Sequence, residues 1–436
     1  MPVEVAEIIL WGRTIGAVSW SDARGYASFE YDPAFRQSIF ELAPLMMPLV
    51  DRVYSFPELA ETSFQGLPGL LADALPDKFG NLLINEWLTR QGRLPGSFSA
   101  IERLCYTGTR GMGALEFKPV VREGMLRSTS VEIGALVQLA GEILSARSEF
   151  TTQVIGDDEE DVEALRDILR VGTSAGGARA KAVIAWNEAS GEIRSGQVKA
   201  PEGYGYWLLK FDGVSGNRDK ELEDPKGFTR IEYAYHKMAV DVGIEMSECR
   251  LFEENERSHF MTRRFDRDDK GGKRYMQSLC ALGHMDFNRA GAYGYEQALD
   301  VALRLGMQTE ALDQLFLRML FNVLARNQDD HTKNIAFMMD KKGRWSLSPA
   351  YDVTYSYNPQ GDWTSRHQMS INGKRDDFLR DDFYAVAKRF RLGKKAKVDE
   401  MISRIQKTLK QWPDYANAVG VPSQWVKEIG RHHRNF

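Results

Sequence analysis

A polar segment in the last third of the chain combines a carboxylate and an amide at a spacing that suits phosphoryl transfer. Asp329 and Asn334 are separated by four residues, and Asp352 follows further along the chain. Phosphoryl transfer needs a carboxylate that orients the attacking hydroxyl, oxygen ligands for metal ions and a cation beside the phosphates. Kinase catalytic loops use the Asp-x4-Asn spacing in this way. We therefore predict Asp329 as the catalytic residue, and Asn334 with Asp352 as Mg²⁺ ligands.

The surroundings of this segment strengthen an interpretation that the spacing alone supports weakly, because Asp and Asn are common in loops. An apolar helical pattern precedes it at residues 315–325. Two short apolar stretches follow at 335–339 and 345–347, with a turn at 341–343 between them. A helix, a polar loop and a β-hairpin in this order would return Asp352 to Asn334, as a shared metal site requires.

The cation that such a site needs is predicted at Lys210. This lysine lies among apolar residues of a strand pattern at 206–211, so its stem can pack while its ammonium enters a cleft. Glu232, in a helical pattern at 229–242 with Thr229 as a candidate cap, can form the ion pair that orients the lysine of kinases. The alternatives are a surface lysine and an exposed helix charge.

A glycine-rich stretch at 172–181 lies before the strand patterns at 182–186 and 206–211. This order suggests a hairpin that covers a nucleotide, whereas an ordinary hairpin is the alternative because glycine most often marks a turn. A P-loop NTPase is disfavoured, since Ala178 and Arg179 replace the Lys-Ser/Thr that its phosphate loop requires.

Two further charged segments have alternative interpretations. Asp329, Asp330 and His331 form a cluster that a metal hydrolase could use, but further metal ligands are missing nearby and only seven histidines occur. A hydrogen bond from His331 to phosphate or backbone is the preferred interpretation. The basic stretch at 388–397 is interpreted as a solvated helix end, with contact to nucleic acid as the alternative.

Composition limits the class of protein. The 436 residues are 43% apolar, which supports substantial cores and two or three domains or lobes. The 57 basic and 61 acidic residues give a net charge of -4, unlike an autonomous nucleic-acid binder. Three scattered cysteines argue against a disulfide scaffold. With neither a signal-peptide pattern nor a long apolar run, we expect a soluble, cytoplasmic protein.

Taken together, these motifs resemble the HipA family of bacterial toxin kinases over nearly the whole chain. The Asp-x-His-x-Lys-Asn loop, the later Ser-Pro-Ala-Tyr-Asp segment ending at Asp352, and the upstream Ser-x-Ala/Gly-Gly-Ala-x-x-Lys loop occur in the family's order. Leu75-Pro76-Asp77, Lys210 and residues 264–267 extend the resemblance. Two departures are Arg179-Ala180, where the family often has a polar-acidic pair, and Asp330, where glycine is common.

The resemblance implies roles for particular residues. Asp329 would be catalytic, Asn334 and Asp352 would hold Mg²⁺, and Ser174 would be a regulatory autophosphorylation site, with Thr173 as an alternative acceptor. A phosphate on Ser174 would lie beside the phosphates of ATP and could expel the glycine-rich loop. The residues implied to bind ATP are Gly176, Gly177, Ala178, Arg179, Ala180, Lys181, Lys210, Arg263, Arg264, Phe265, His331, Thr332, Lys333, Asn334, Tyr351 and Asp352.

We therefore predict an α+β, two-lobed protein-kinase-like fold with an accessory β-rich subdomain at 1–125, an ATP-binding lobe at 126–265 and a mainly helical catalytic lobe at 266–436. The resemblance implies an ATP- and Mg²⁺-dependent Ser/Thr kinase that acts as the toxin of a toxin–antitoxin pair. Its partners would be a small helix-turn-helix antitoxin, DNA through that antitoxin, and a protein substrate such as an aminoacyl-tRNA synthetase. The alternatives are a catalytically silent corepressor and a small-molecule phosphotransferase.

Overall fold

The computed structural model of the protein describes residues 3–90, 92–119, 132–146, 179–214 and 226–436. Three antiparallel sheets and a large helical region make up an α+β fold with two lobes and an accessory β-rich subdomain at the N-terminal end. The predicted fold class is thus confirmed.

The N-terminal subdomain is built on a five-stranded sheet with helices around it, of which Lys78–Arg90 buries Phe79, Leu83 and Leu88 in the core of the following lobe and not against this sheet. Its apolar side chains alternate along the strands, so that one face buries a core. The strands are β1 (Val5–Leu10), β2 (Arg13–Ser21), β3 (Tyr26–Tyr31), β4 (Val53–Tyr54) and β5 (Leu115–Lys118), and the helices are α1 (Glu61–Phe64), α2 (Gly69–Ala72), α3 (Lys78–Arg90) and α4 (Ala100–Thr107). The strand order is β4-β3-β2-β1-β5.

The upper lobe contains a second five-stranded sheet and one long helix beside it. Its elements are α5 (Ile133–Ala146), β6 (Lys181–Trp186), β7 (Ile193–Ser195), β8 (Gly205–Lys210), α6 (Phe228–Asp241), β9 (Cys249–Glu254) and β10 (Arg257–Arg263). The strand order is β7-β6-β8-β10-β9, so β6 and β8 are direct neighbours. This pairing confirms the two strand patterns predicted after the glycine-rich stretch.

The start of α6 differs from the prediction that Thr229 caps it. Gly227 is the N-cap, with a φ of 97°. The hydroxyl of Thr229 instead lies within hydrogen-bond distance of the backbone oxygen of Ser258 and, at 3.1 Å, of Asp212 Oδ1. Asp212 Oδ1 also accepts from Gly227 N at 2.7 Å, so a residue from the preceding strand end performs the capping role. Thr229 was misassigned because its partners are remote in sequence.

The lower lobe is mainly helical, with one small sheet. Its elements are β11 (Tyr275–Ser278), α7 (Leu279–Gly283), α8 (Tyr295–Arg304), α9 (Thr309–Leu324), β12 (Ala336–Met339), β13 (Trp345–Leu347), α10 (Arg380–Arg389), α11 (Lys395–Lys410), α12 (Trp412–Ala418) and α13 (Ser423–His432). The predicted hairpin is confirmed as β12 and β13, while β11 adds an unpredicted third strand. Most side chains of α9 are buried, and its apolar ones form part of the core of this lobe.

The small sheet of the lower lobe also contacts the N-terminal subdomain. Tyr275, Cys280 and Met339 are buried in the core of that subdomain. The Tyr275 hydroxyl donates to the backbone oxygen of Leu42 at 2.9 Å, and Asp73 accepts hydrogen bonds from the backbone and hydroxyl of Ser278 at 2.6 and 2.8 Å. The two units therefore share apolar and polar contacts.

The basic stretch at 388–397 includes the last turn of α10 and the first residues of α11. Two of its lysines contact acidic groups: Lys395 lies 3.8 Å from Asp381, and Lys397 lies 2.6 Å from Asp313. Elsewhere, all three cysteines are buried and unpaired. Within the described part of the chain, no helix combines the length and apolar character needed to cross a bilayer.

Candidate active site

Lys210 connects two carboxylates from different elements at the junction of the lobes. Its Nζ lies 2.6 Å from Glu232 Oε1 on α6 and 2.5 Å from Asp352 Oδ1 of the lower lobe. The expected ion pair between Lys210 and Glu232 is present. Burial alone would lower the pKa of Lys210, but the two carboxylates outweigh it and raise this pKa above its ordinary value. The ammonium is therefore held in its charged form.

A second buried lysine lies directly opposite the first. Lys181 of β6 pairs in register with Lys210 of β8, which places two like charges side by side on the sheet. Lys181 Nζ lies 3.3 Å from Asp77 Oδ2 in the N-terminal subdomain, and both side chains are almost fully buried. Burial raises the pKa of Asp77 to about 6 and lowers that of Lys181, whereas their mutual attraction opposes both shifts. Each lysine thus has its own counter-charge.

The segment that contains Asp329 forms a short loop followed by a single 3-10 turn, Thr332–Asn334. The side-chain amide of Asn334 donates to the backbone oxygen of Asp329 at 2.9 Å, which fixes the two residues relative to each other. The hydroxyl of Thr332 is buried and donates to the backbone oxygen of Met285 at 2.7 Å. Lys333 places its Nζ 4.9 Å from the ring centroid of Phe287.

Asp330, which had no predicted role, is a buried anchor. Its Oδ2 accepts from the Tyr295 hydroxyl at 2.9 Å and lies 2.7 Å from His367 Nδ1. Its Oδ1 accepts from the backbone N–H of Gln368 at 2.7 Å. The adjacent Asp329 points outward, with its side chain 41% exposed. The two neighbouring aspartates therefore differ in their surroundings: Asp330 is held in the core, whereas Asp329 is partly open to solvent.

The ring of His331 lies in an aromatic group. The rings of Phe287 and Trp363 lie near it, with centroid distances of 5.5 and 6.5 Å. His331 Nε2 is 3.8 Å from Asp329 Oδ1. Trp363 Nε1 donates to the same carboxylate oxygen at 2.7 Å. Sequence reasoning missed Trp363, because nothing in its local pattern connects it with Asp329.

Asp352 and Asn334 line one small cavity, as the hairpin prediction required. Asp352 has a φ of 52°, a left-handed conformation that Asp tolerates better than most residues. Burial opposes ionisation of Asp352, but the ammonium groups of Lys210 and Lys181 outweigh it and lower the pKa to about 2. Its carboxylate is therefore ionised at neutral pH.

These residues fit a magnesium ion by the chemistry of their donor atoms. Mg²⁺ prefers oxygen ligands and is usually held by one or two carboxylates together with phosphate and water. Asp352 offers an ionised carboxylate and Asn334 an amide oxygen in the same cavity. Within the described residues, no group of three or more His, Cys, Asp or Glu side chains is arranged to hold a metal ion.

The residues expected beside adenine lie where β10 leaves the upper lobe. Phe265 and Tyr351 approach each other with ring centroids 5.7 Å apart. Arg264 is buried and bonded to Asp266 by two contacts of 2.8 and 2.7 Å. Arg263 lies 2.8 Å from Asp269. Both guanidinium groups thus have acidic partners, and Tyr351 donates its hydroxyl to the backbone oxygen of Lys333 at 2.5 Å.

Part of the predicted phosphate loop lies outside the described residues: Thr173, Ser174, Gly176, Gly177 and Ala178. Its C-terminal end is described. Arg179 lies 3.7 Å from Glu232 Oε2 and 4.5 Å from the Phe228 ring centroid. Ala180 is buried, and its backbone oxygen accepts from Phe211 N at 3.2 Å. The loop therefore ends beside the Lys210–Glu232 pair.

Comparisons with known proteins agree with this two-lobed, kinase-like class of fold. The model for the HipA N-terminal domain matches residues 6–118, and that for the HipA-like C-terminal domain matches residues 173–412. This chain belongs to the HipA family. No curated protein matches it.

Thirty chains of solved structures match. One is HipA of Shewanella oneidensis MR-1, from a toxin–antitoxin complex with HipB and operator DNA. It is 16% identical with a TM-score of 0.68, and the match covers 98% of this chain and 95% of that one. Another is the Helicobacter pylori proinflammatory kinase CtkA, at 14% identity and a TM-score of 0.37, covering 59% and 90%. The first likeness supports the fold.

Proposed function

We propose that this protein is an ATP- and Mg²⁺-dependent Ser/Thr protein kinase. The observation that carries the proposal is the placement of Lys210 between Glu232 and Asp352, at 2.6 and 2.5 Å. In protein kinases a lysine–glutamate pair and a metal-binding aspartate must be in place together for phosphoryl transfer. A lysine with a purely structural role needs only one counter-charge. Lys210 has two, Glu232 on the helix of the upper lobe and Asp352, the candidate metal ligand of the lower lobe.

Each residue has a defined task in this proposal. Lys210 neutralises the phosphates, and Glu232 keeps its ammonium in place. Asp329, which is partly exposed, orients the attacking serine hydroxyl and accepts its proton. Asn334 and Asp352 would hold Mg²⁺, which would neutralise the negative charge that develops on the phosphates during transfer. The products are phosphoserine and ADP.

Family membership supports a more specific biological proposal. The solved Shewanella relative was described as the toxin in a complex with HipB and operator DNA. We propose that the present chain is likewise a toxin and that a small helix-turn-helix antitoxin inhibits it. The chain would contact DNA only through that antitoxin. The proposed substrate is a serine of a protein such as an aminoacyl-tRNA synthetase. Ser174 is the proposed autophosphorylation site, with regulation by expulsion of its glycine-rich loop.

The test is incubation with ATP and Mg²⁺ followed by mass spectrometry of wild type, Asp329→Ala and Ser174→Ala. We expect phosphate on Ser174 in the wild type and none in the Asp329→Ala protein. Asp300→Ala is a matched control, because this aspartate is exposed on α8. Its phosphorylation should equal that of the wild type.

Three results would contradict parts of the proposal. Absence of phosphate on wild-type protein purified and incubated with ATP would favour a catalytically silent binding partner. Phosphate that persists in the Asp329→Ala protein would overturn the catalytic assignment. A protein that labels itself but no protein of a cell lysate would point to a small-molecule acceptor.

A further inference from the structure

The bond between Trp363 and Asp329 is a feature that the proposed kinase chemistry does not itself require. Asp329 is partly exposed, and its carboxylate torsion has a broad, roughly two-fold preference, so the side chain alone does not select one orientation. The indole N–H of Trp363 donates to Oδ1 of this carboxylate at 2.7 Å. One of the two carboxylate oxygens therefore already accepts a hydrogen bond from the protein.

Trp363 is itself held by a ring of hydrogen bonds that returns to the catalytic loop. The side-chain amide nitrogen of Gln368 lies within hydrogen-bond distance of three backbone oxygens, those of Trp363, of Arg366 at 3.0 Å and of Gln328 at 3.2 Å. The backbone N–H of Gln368 donates to Asp330 Oδ1 at 2.7 Å. Asp330 is covalently joined to Asp329, which receives the indole N–H and closes the ring.

The ring is rigid because its far side is buried. Gln368 is 3% exposed, Asp330 is 3% exposed and His367 is fully buried. Asp330 Oδ2 is fixed by both the Tyr295 hydroxyl and His367 Nδ1, so this carboxylate has little freedom to rotate. The position of Trp363 therefore follows from the lower-lobe core.

We propose that Trp363 is a positioning residue, which directs one oxygen of the Asp329 carboxylate toward the substrate hydroxyl by binding the other, with Asp330 and Gln368 holding the tryptophan in place. The inference rests on the proposed kinase function. Phosphoryl transfer depends on the geometry of the attacking group, and small errors of orientation reduce rates strongly. This assigns a role to Asp330, to Gln368 and to a tryptophan that sequence motifs leave out.

The test compares Trp363→Phe with the wild type. Phenylalanine keeps an aromatic ring beside His331 but removes the N–H donor. With radiolabelled ATP and Mg²⁺ in single-turnover experiments, we expect the rate of phosphate incorporation into the chain to fall by about ten- to hundredfold, as for loss of a hydrogen bond to a charged group. The affinity for ATP, measured by calorimetry, should stay within about twofold of wild type, because the bond that is removed ends on Asp329 and not on Lys210 or its carboxylate partners.

Trp20→Phe provides a matched control. Trp20 Nε1 also donates to an aspartate oxygen, Asp22 Oδ1 at 2.8 Å, but in the N-terminal sheet. Both variants thus lose the same kind of bond and the same aromatic area. The Trp20→Phe protein should keep the wild-type rate of phosphate incorporation.

The Gln368→Met variant tests the same inference while the Trp363 indole stays in place. It removes the side-chain amide while its backbone N–H to Asp330 remains. We expect a smaller loss of rate, again without loss of ATP affinity. Rates are expressed per ATP-binding site counted by calorimetry, so a partly unfolded preparation does not imitate the effect.

Two results would overturn the inference. One is a Trp363→Phe rate equal to that of Trp20→Phe. The other is a parallel loss of rate and ATP affinity in both Trp363→Phe and Gln368→Met, which is what a purely structural role predicts. A wild-type protein that binds ATP but incorporates no phosphate would instead reject the kinase proposal itself.

Discussion

Among single residues of the candidate site, Lys210 is held by charges from both lobes. Glu232 and Asp352 reach its ammonium from the upper and lower lobes at 2.6 and 2.5 Å. A buried charge without a partner costs free energy, so the ammonium stays close to both carboxylates. Among the described residues, loss of Glu232 would leave Asp352 as the close carboxylate, and the ammonium would move toward it.

We predict that Glu232→Gln reduces kcat/KM for ATP by about tenfold or more, since hydrogen bonds to charged groups contribute about 1.5–3 kcal/mol. Steady-state kinetics at varied ATP concentration measures this. Asp241→Asn on the outer side of the same helix is the control, because Asp241 contacts Tyr415 and not the lysine. Equal effects of the two substitutions would mean that the helix charge, and not the ion pair, matters.

A second residue-scale prediction concerns Asp266, which is fully buried between Arg264 and Arg267 and accepts from Gly113 N at 2.7 Å. Burial would raise its pKa, but the two guanidinium groups outweigh it and hold the pKa below the ordinary range. Asp266→Asn should lower the free energy of unfolding by about 3–5 kcal/mol, because two buried cations lose their partner. Urea denaturation tests this, and a change below about 1 kcal/mol would contradict it.

The sequence predicted some of these side-chain relations and missed others for a physical reason. Lys210 and Glu232 were paired correctly because a strand and a following helix place them at a familiar separation in kinases. Trp363 and Gln368 lie 34 and 38 positions from their aspartate partners, and the intervening chain is irregular. No periodicity relates such positions. The metal and ATP roles of the predicted residues stay predictions.

At the scale of elements, two neutral histidines connect strands and helices through backbone groups. His259 Nδ1 accepts from Asp212 N at 2.9 Å, which links β10 to the end of β8. His284 Nε2 accepts from Gly69 N at 3.1 Å, which links α7 to α2. Both nitrogens must be unprotonated to accept. Burial, the main cause, lowers the pKa of each ring to about 4.

We therefore predict a stability that falls with acid. Because the folded pKa is below the unfolded value of about 6.5, the contribution of each histidine is complete above that pH and is lost as pH falls toward about 4. Thermal unfolding followed between pH 7 and 4 should show a falling midpoint. The slope of the free energy of unfolding against pH should be smaller in the His259→Gln protein, by up to about 1.4 kcal/mol per pH unit. An unchanged slope would show that His259 does not titrate in this range.

The elements themselves were largely predictable where apolar periodicity was strong. Strands β6, β8, β12 and β13 and helices α6 and α9 lie close to their predicted positions. Strand β11 was missed because its four residues carry a weak pattern and its pairing with β12 is remote in sequence. The cap of α6 was misassigned because Asp212 supplies it across the intervening chain.

At the scale of the whole molecule, the ion pair of Lys181 and Asp77 joins the upper lobe to the N-terminal subdomain. The pair is almost fully buried at 3.3 Å. Asp77 Oδ1 also accepts from Gly80 N at 2.6 Å at the start of α3, so its position is fixed from its own side. The part of the upper sheet that carries Lys181 and Lys210 is thus attached to a subdomain that precedes it in the chain.

We predict that Asp77→Asn and Lys181→Met each destabilise the protein by about 3–5 kcal/mol, because each leaves one buried charge without its partner. The double variant should lose less than the sum of the two, since no single charge remains uncompensated. Thermal unfolding and limited proteolysis measure both effects. Additive losses would show that the two residues act independently.

The exposed pair of Lys395 and Asp381 is a control for this cycle. Its atoms are 3.8 Å apart and its side chains are 71% and 86% exposed. Exposed ion pairs contribute about 0–1 kcal/mol, so Lys395→Met should have little effect. A loss as large as that of Lys181→Met would mean that lysine removal, and not burial of the pair, causes the destabilisation.

The shared core of Tyr275, Cys280 and Met339 has a consequence for transplanting parts of this protein. A chain cut near residue 125 would expose these side chains to water, at about 1.5–3 kcal/mol for each large apolar group. The N-terminal subdomain is therefore not an interchangeable module. A chimaera that carries another subdomain has to reproduce the acceptor at Leu42 and the carboxylates of Asp73 and Asp77, because strand β11 and Lys181 depend on them.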